Sequence, residues 1–319
     1  MTTSLTEREI PGISSGRVLR RRGVHRAWEQ SSSTIVEDVS ENLKKHLANL
    51  SKRGPHRVLV GDLGYAGLKG KIYTPAEGKR LPAVAFGHDW TKPVAKYRAT
   101  LRHLASWGIV VAAPDTETGF TPDHRGLAAD LETALQIAAG VKLGNGNVTV
   151  GPGRLGMIGH GMGGGAAVLA AANNSKVQAV ATAYPAATAP PAEIAARSID
   201  VPGLVIGSGQ AGLVEAGNPA KLAYNWAGPV AYREIENGNQ QGFSEDTLFK
   251  LFVGLGRPQT AAQDSVRGLL VGFLLHQLAG EKEYAGFSAP LAEAKKITSY
   301  TGEELAEKAG PARDDALPF

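Results

Sequence analysis

Short apolar runs alternate with longer amphipathic or alanine-rich segments through the middle of the chain. The apolar runs predict buried strands, and the segments between them predict helices. Strands are expected at residues 58–60, 71–73, 83–86, 109–113, 155–158, 177–183, 204–206 and 231–235. Helices are expected at residues 97–107, 127–141, 165–172 and 266–278. This alternation predicts an α/β fold, in which a mostly parallel sheet is covered by helices on both faces.

The two ends of the chain lack this alternation. Residues 1–33 have little periodic apolar content and are expected to form a flexible basic arm. Residues 34–55 predict an amphipathic helical extension. Its apolar stripe must pack on the main domain or on a partner, and the pattern leaves both open. We treat residues 56–290 as one α/β domain and residues 291–319 as a C-terminal helix and tail.

The charge balance adds a limit on partners. The 319 residues carry a net charge of +4, and residues 1–26, with six arginines against two glutamates, account for all of it. The rest of the chain is formally neutral, which argues against a nucleic-acid groove on the body. Whether the arginines at 20–22 contact anionic lipid, nucleic acid or only solvent is left open.

Composition excludes several other classes. No apolar stretch approaches a membrane span, and the N-terminal residues lack the pattern of a signal peptide. The chain contains no cysteine, so it has neither disulfides nor a thiolate metal site. We expect a cytoplasmic protein without a membrane span, a metal or a cofactor.

The most informative motif is the run Gly159-His160-Gly161-Met162-Gly163. It follows an apolar strand and precedes an alanine-rich helix. This is the context of the Gly-x-Ser-x-Gly nucleophile elbow, where a sharp turn exposes a serine hydroxyl. Here the nucleophile position is Gly161, which has no side chain.

The order of motifs resembles the α/β-hydrolase superfamily, and within it the group of dienelactone hydrolases and cutinase-like polyester hydrolases. The resemblance covers roughly residues 56–280. It rests on Phe86-Gly87-His88 after a strand, the strand end at 115–118, Gly-His-x-Met-Gly-Gly at 159–164, and the Val-Pro strand that begins at Val201. It implies an α/β-hydrolase fold and acyl transfer by serine, acid and histidine in that chain order.

The resemblance also places the three catalytic positions. The serine position is Gly161, the acid position is Ala211, and the histidine position is Gln240 or Gln241. All three side chains needed for the reaction are therefore replaced. Of eight histidines, His276 alone follows the elbow, and it lies in an apolar helical run typical of a buried core residue.

Some polar groups of the site are retained in the sequence. The resemblance implies oxyanion-hole N–H groups at Met162 and His88, and these need no particular side chain. The N-terminus of the helix after Gly161 is also suited to a carboxylate or phosphate. His88 beside Asp89, and His160 within the elbow, are candidates for a general base. Ala186 falls where polyester-cleaving relatives carry an aromatic residue, which disfavours an aromatic polymer as substrate.

Three functions follow from these residues. The first is a catalytically inactive pseudo-hydrolase that acts as a binding, scaffolding or regulatory module, with a protein partner contacted through residues 1–55. The second is a hydrolase of small esters or lactones that uses His88, His160 and the oxyanion corner. The third is a sensor that binds a small carboxylate or acyl ligand in the former pocket.

Overall fold

A nine-stranded sheet forms the centre of the protein in a computed structural model, which describes residues 36–210, 216–245 and 259–311. The strands lie in the order β1-β2-β4-β3-β5-β6-β7-β8-β9. The strands from β4 to β8 in that order are parallel, while β2 and β9 pair antiparallel to their neighbours. The strands are β1 (Val58–Asp62), β2 (Gly70–Pro75), β3 (Gly78–Gly87), β4 (Val110–Pro114), β5 (Val148–His160), β6 (Val177–Ala183), β7 (Gly203–Ser208), β8 (Val230–Ile235) and β9 (Ile297–Tyr300).

Helices cover both faces of this sheet, and each face has its own apolar core. The helices are α1 (residues 36–50), α2 (Arg98–Ser106), α3 (His124–Gly140), α4 (Met162–Ala172), α5 (Ala192–Ala195), α6 (Pro219–Tyr224), α7 (Gln240–Phe243), α8 (Thr260–Leu274) and α9 (Gly302–Ala309). One compact unit of the chain begins at Val39. Residues 1–38 form a separate unit, of which residues 36–38 alone are described.

The fold class predicted from the alternation of apolar runs is confirmed. Every predicted strand is present, and the expected antiparallel pair of residues 58–60 and 71–73 is β1 with β2. Several elements differ from the expectation, and the short helices α5, α6 and α7 were not predicted. Helix α4 begins at Met162, directly after the elbow, and β9 lies in the segment expected to be a helix and tail.

Helix α1 packs on the domain rather than leaving its apolar stripe for a partner. Leu43 and Leu50 are fully buried in the core beneath α2 and α8. The His103 ring lies 2.8 Å from the carbonyl oxygen of Leu50, and the Asn42 side chain accepts a hydrogen bond from Gly286. Of the two alternatives left open by the sequence, residues 39–50 show packing on the domain, while contact of residues 1–55 with a protein partner stays a prediction. The basic arm at 1–33 lies outside the described residues.

A buried arginine fixes the segment that leads into β9. Arg233 on β8 is fully buried, and its guanidinium donates hydrogen bonds to four backbone carbonyls and to no carboxylate of the described residues. The acceptors are Gly286, Phe287, Ala289 and Ala292. Burial lowers the pKa of this guanidinium to about 10. Because one side chain satisfies four carbonyls, it holds an otherwise irregular segment against the sheet.

Candidate active site

The predicted elbow is present at the junction of β5 and α4. Gly161 has φ +54° and ψ −124°, a backbone conformation that residues other than glycine rarely adopt. Gly163 packs directly on the backbone of Gly87, and a Cβ at position 163 would overlap that backbone. These glycines let α4 begin against the ends of β3 and β5, so its N-terminus faces the loop that follows β3.

The carboxylate of Asp89 occupies the elbow. Its Oδ1 accepts the Met162 N–H at 2.9 Å, so one of the expected oxyanion donors is used by the chain itself. A Cβ built on Gly161 would overlap the same oxygen atom. Asp89 is 7 % exposed. The side chain therefore fills the volume that a serine at position 161 would need.

Gln240 completes the contact from the loop after β8. Its Nε2 lies 3.1 Å from Oδ1 and 3.0 Å from Oδ2 of Asp89. Gln241 is exposed, so of the two glutamines proposed for the histidine position it is Gln240 that lies against the elbow. The amide is a donor toward Asp89 and has no proton to exchange at neutral pH, unlike an imidazole.

A closed ring of hydrogen bonds surrounds this contact. The Asp89 N–H donates to the Tyr97 hydroxyl at 3.1 Å, and that hydroxyl lies 2.8 Å from His160 Nδ1. His160 Nε2 lies 2.9 Å from the Gln240 carbonyl, and the Gln240 side chain returns to Asp89. Because a carbonyl only accepts, His160 Nε2 carries the proton and its Nδ1 accepts from Tyr97. Both ring nitrogens of this buried histidine are used.

His88 is placed differently from the sequence hypothesis. That hypothesis had the Asp89 side chain orient His88, but the ring contacts the Asp89 carbonyl oxygen instead, at 2.9 Å from Nδ1. Nε2 lies 2.7 Å from the carbonyl oxygen of Thr116. The reason is that the Asp89 carboxylate turns toward Met162 and Gln240. His88 is fully buried, and both of its nitrogens face carbonyl oxygens.

The loop that carries Gln240 is fastened to α2. Glu245 accepts the N–H groups of Ala99 and Thr100, at 2.9 Å each, and pairs with Arg267 at 3.3 Å. Carboxylates stabilise a helix N-terminus because its first N–H groups lack partners within the helix. The hydrogen bonds of Glu245 thus join the segment after β8 to the start of α2, next to Tyr97.

Aromatic rings enclose the ring of hydrogen bonds. The His160 ring centroid lies 4.9 Å from that of Phe243 and 5.6 Å from that of Tyr97. Sequence reasoning missed both aromatic residues as parts of the site. The sequence pattern indicates Tyr97 only as the first residue of a helix, and Phe243 only as a flanking position.

The remaining expected positions are placed as follows. Ala211, expected at the acid position, lies outside the described residues. Ala186 donates its N–H to the Gly161 carbonyl, at 2.9 Å, beside the elbow. His276 is half-buried and its Nδ1 lies 2.8 Å from the Ser288 hydroxyl, while burial lowers its pKa.

Within the described ranges, no three side chains are grouped so as to hold a metal ion, and no helix is long and apolar enough to cross a membrane.

A family model described as PET hydrolase-like matches residues 48–249, which is more than half of the chain. The chain belongs to the PET hydrolase-like family. The matched range runs from the end of α1 beyond α7, so it contains the elbow, Asp89 and Gln240. This confirms the expected superfamily. Among curated proteins, none matches the chain.

Proposed function

We propose that this PET hydrolase-like protein is a pseudo-hydrolase, which keeps the family's fold as a binding or scaffolding module and does not perform triad catalysis. The observation that carries the proposal is the Asp89 carboxylate, which fills the elbow above Gly161 and takes up the Met162 N–H. Acyl transfer needs an attacking atom and a free oxyanion hole at this point.

The position expected for the catalytic histidine also lacks a general base. A serine hydroxyl is a poor nucleophile until a neighbouring base takes its proton. The residue nearest the elbow from the β8 loop is Gln240, which donates to Asp89. A carboxylate in this corner also repels the negative charge that develops on a substrate carbonyl oxygen.

The second candidate, hydrolysis by His88 or His160, finds little support in the contacts. A general base needs a lone pair within reach of water or substrate. The nitrogens of His88 contact two carbonyls, and those of His160 contact Tyr97 and Gln240. Both histidines are buried, so neither presents an open nitrogen to the mouth of the site.

The third candidate, a carboxylate sensor, meets a competitor within the chain. The helix N-terminus suited to a carboxylate already has one, from Asp89, at the Met162 N–H. A free carboxylate would have to displace it. We therefore expect no shift in melting temperature when acetate or longer acyl carboxylates are added to the wild-type protein. A ligand at about 100 times its Kd would add about 2.7 kcal/mol of stability.

Ester hydrolysis tests the main proposal. Purified protein is assayed with p-nitrophenyl acetate and butyrate, and with a fluorophosphonate probe that labels activated serines. We expect neither turnover above that of heat-denatured protein nor labelling. Turnover that survives repurification, and that the His88→Ala or His160→Ala variant abolishes, would instead establish the second candidate.

A further inference from the structure

The chain after residue 26 is formally neutral, but its net positive and net negative charge lie in different segments. Residues 42–114 contain thirteen lysines and arginines against three acidic residues, a net charge of +10. Residues 115–319 contain fifteen against twenty-one, a net charge of −6. The first of these ranges builds β1 to β4 with α2, so the positive charge belongs to one end of the sheet.

Exposed cations from two chain segments meet along α2. Arg98 and Arg102 are one helical turn apart on this helix and are both exposed. Lys52, Arg53 and Arg57 belong to the segment before β1, and this segment is fastened to the C-terminal end of α2. The Trp107 indole N–H donates to the Lys52 carbonyl at 2.9 Å, and the N–H of His56 donates to the Ser106 carbonyl at 3.0 Å. None of these five cations forms an ion pair with a described residue.

Helix α2, which carries both arginines, packs against the two outer strands β1 and β2. Leu101 and Leu104 of α2 belong to the same apolar core as Tyr73 of β2. Burial raises the pKa of the Tyr73 phenol, while the charges of Arg102 and Arg98 lower it and that of Glu245 raises it. Tyr73 is directly opposite Val60 of β1, so the two side chains share the face of the sheet on which α2 packs. Val60 is 42 % exposed between the helix and the rim of the sheet.

Strand β1 is an open edge. It pairs with β2 on one side, and no backbone hydrogen bond joins it to any other element of the described ranges. An edge strand presents a row of N–H and C=O groups that can pair with a further strand. Proteins usually protect such edges with proline, charged side chains or a covering loop, whereas β1 has Val60 and Gly61 exposed at its centre, and its one charged residue, Asp62, is paired with Lys71.

We propose that β1, with Arg98, Arg102 and the cations at 52–57, is a docking site for an extended acidic segment of a partner protein. The segment adds a strand to β1 through backbone hydrogen bonds, and its carboxylates pair with the arginines of α2. We call this surface the basic edge.

Two features favour a peptide strand over other polyanions. The acceptor is an extended backbone row five residues long, whose pairing needs amide N–H and C=O groups on the ligand. Arg98 and Arg102 are four residues apart on α2, about 6 Å along the helix axis, which is close to the spacing of about 6.6 Å between alternate side chains of a strand. A nucleic acid would use the cations and leave the β1 edge unused.

The test measures binding of labelled peptides to the full-length protein by fluorescence anisotropy at low salt. The probe alternates glutamate with valine. Comparison ligands are a lysine–valine peptide, N-methylated forms of the probe that lack alternate amide donors, and a single-stranded DNA oligonucleotide. The variant is Arg98→Glu with Arg102→Glu. Its matched control is Lys142→Glu with Lys176→Glu, which makes the same change in net charge at exposed positions outside the basic edge.

We expect the acidic peptide to bind, and the α2 double variant to weaken it at least about tenfold while the control double variant does not. One N-methylated register should lose binding. No binding of the acidic peptide, equal loss in both double variants, or full retention by every N-methylated form overturns the proposal. DNA binding that depends on Arg98 and Arg102, without peptide binding, assigns the surface to nucleic acid instead. Ester hydrolysis assayed on the same samples reports separately on the elbow, since this surface does not depend on it.

Discussion

Asp89 Oδ1 and a side chain at position 161 exclude each other, because any Cβ on Gly161 would overlap that carboxylate oxygen. Two residues that lie 72 positions apart are thus coupled in one small volume. The absence of a side chain at position 161 and the presence of the Asp89 carboxylate there are therefore one structural state of the elbow.

Introducing a serine at position 161 should destabilise the protein without creating an esterase. Gly161→Ser places a side chain against Asp89 at a positive φ, and we expect a loss of about 1–3 kcal/mol in the free energy of unfolding. Urea denaturation measures it. Gly140→Ser, at the exposed end of α3 with nothing near its Cβ, is the matched control and should change stability little. Esterase activity in the Gly161→Ser variant would contradict both this prediction and the proposed function.

Exchanging the acid and the amide between positions 89 and 240 should restore the hydrogen bond that each single substitution breaks. Asp89→Asn turns an acceptor into a donor opposite the Gln240 amide, and Gln240→Glu places two carboxylates together. Each should cost about 1–3 kcal/mol, because a buried polar group loses its partner. In the double variant the introduced asparagine donates its amide N–H to the introduced glutamate, while its oxygen still accepts from Met162. A double-mutant cycle should show recovery of at least about 1 kcal/mol; strictly additive losses would mean that the contact is not made.

Acid should weaken the protein through His103. Burial lowers the pKa of His103, so the unfolded chain takes up a proton at a higher pH than the native state does. Stability is then lost as the pH falls from about 7 toward the native pKa, and the loss stops below it. His103→Gln keeps a donor for the Leu50 carbonyl and should flatten this part of the curve. His276, whose pKa burial also lowers, contributes a slope of the same sign that remains in His103→Gln. An unchanged slope in His103→Gln would rule out this origin.

Arg233 should be among the most sensitive positions in the sheet. Arg233→Met removes the guanidinium donors of four carbonyls, of which Ala289 and Ala292 each keep one other donor, and we expect a loss of about 3–5 kcal/mol. Arg125→Met, at an exposed position on α3, should be neutral within about 0.5 kcal/mol. The free energy of unfolding in urea compares the two. A neutral Arg233→Met would mean that the four carbonyls find other partners.

Much of the fold could be predicted because the central strands are short apolar runs that are buried on both faces of the sheet. The strand Val177–Ala183 agrees with its predicted bounds to the residue, since its apolar run is long and clearly delimited. Strand β9 was missed because Ile297–Tyr300 alternates with polar residues at the rim of the sheet and resembles a surface segment. The pattern of apolar residues shows the periodicity within one segment. Whether a segment at the rim of the sheet pairs with a strand depends on residues far away in the sequence.

The position of the site could be predicted from the sequence, but the contacts between its side chains could not. The glycine run located the elbow and Gly161, because backbone turns require particular residues. The side chain that fills the elbow could not be predicted in the same way. Asp89 follows His88 directly, so proximity in the chain suggested a pair, while the rotation of its carboxylate toward Met162 and Gln240 depends on three loops meeting.

The packing of α1 sets an order on folding. Asn42 bonds to Gly286, 244 residues later, and Leu43 and Leu50 lie in a core that α8 completes. During synthesis α2 can cover part of the apolar stripe of α1 soon after it, whereas the part that packs on α8 and Gly286 has no partner until more than four fifths of the chain has been made. Contacts so distant in sequence form late. The first helix that the structure describes is thus among the last to reach its place.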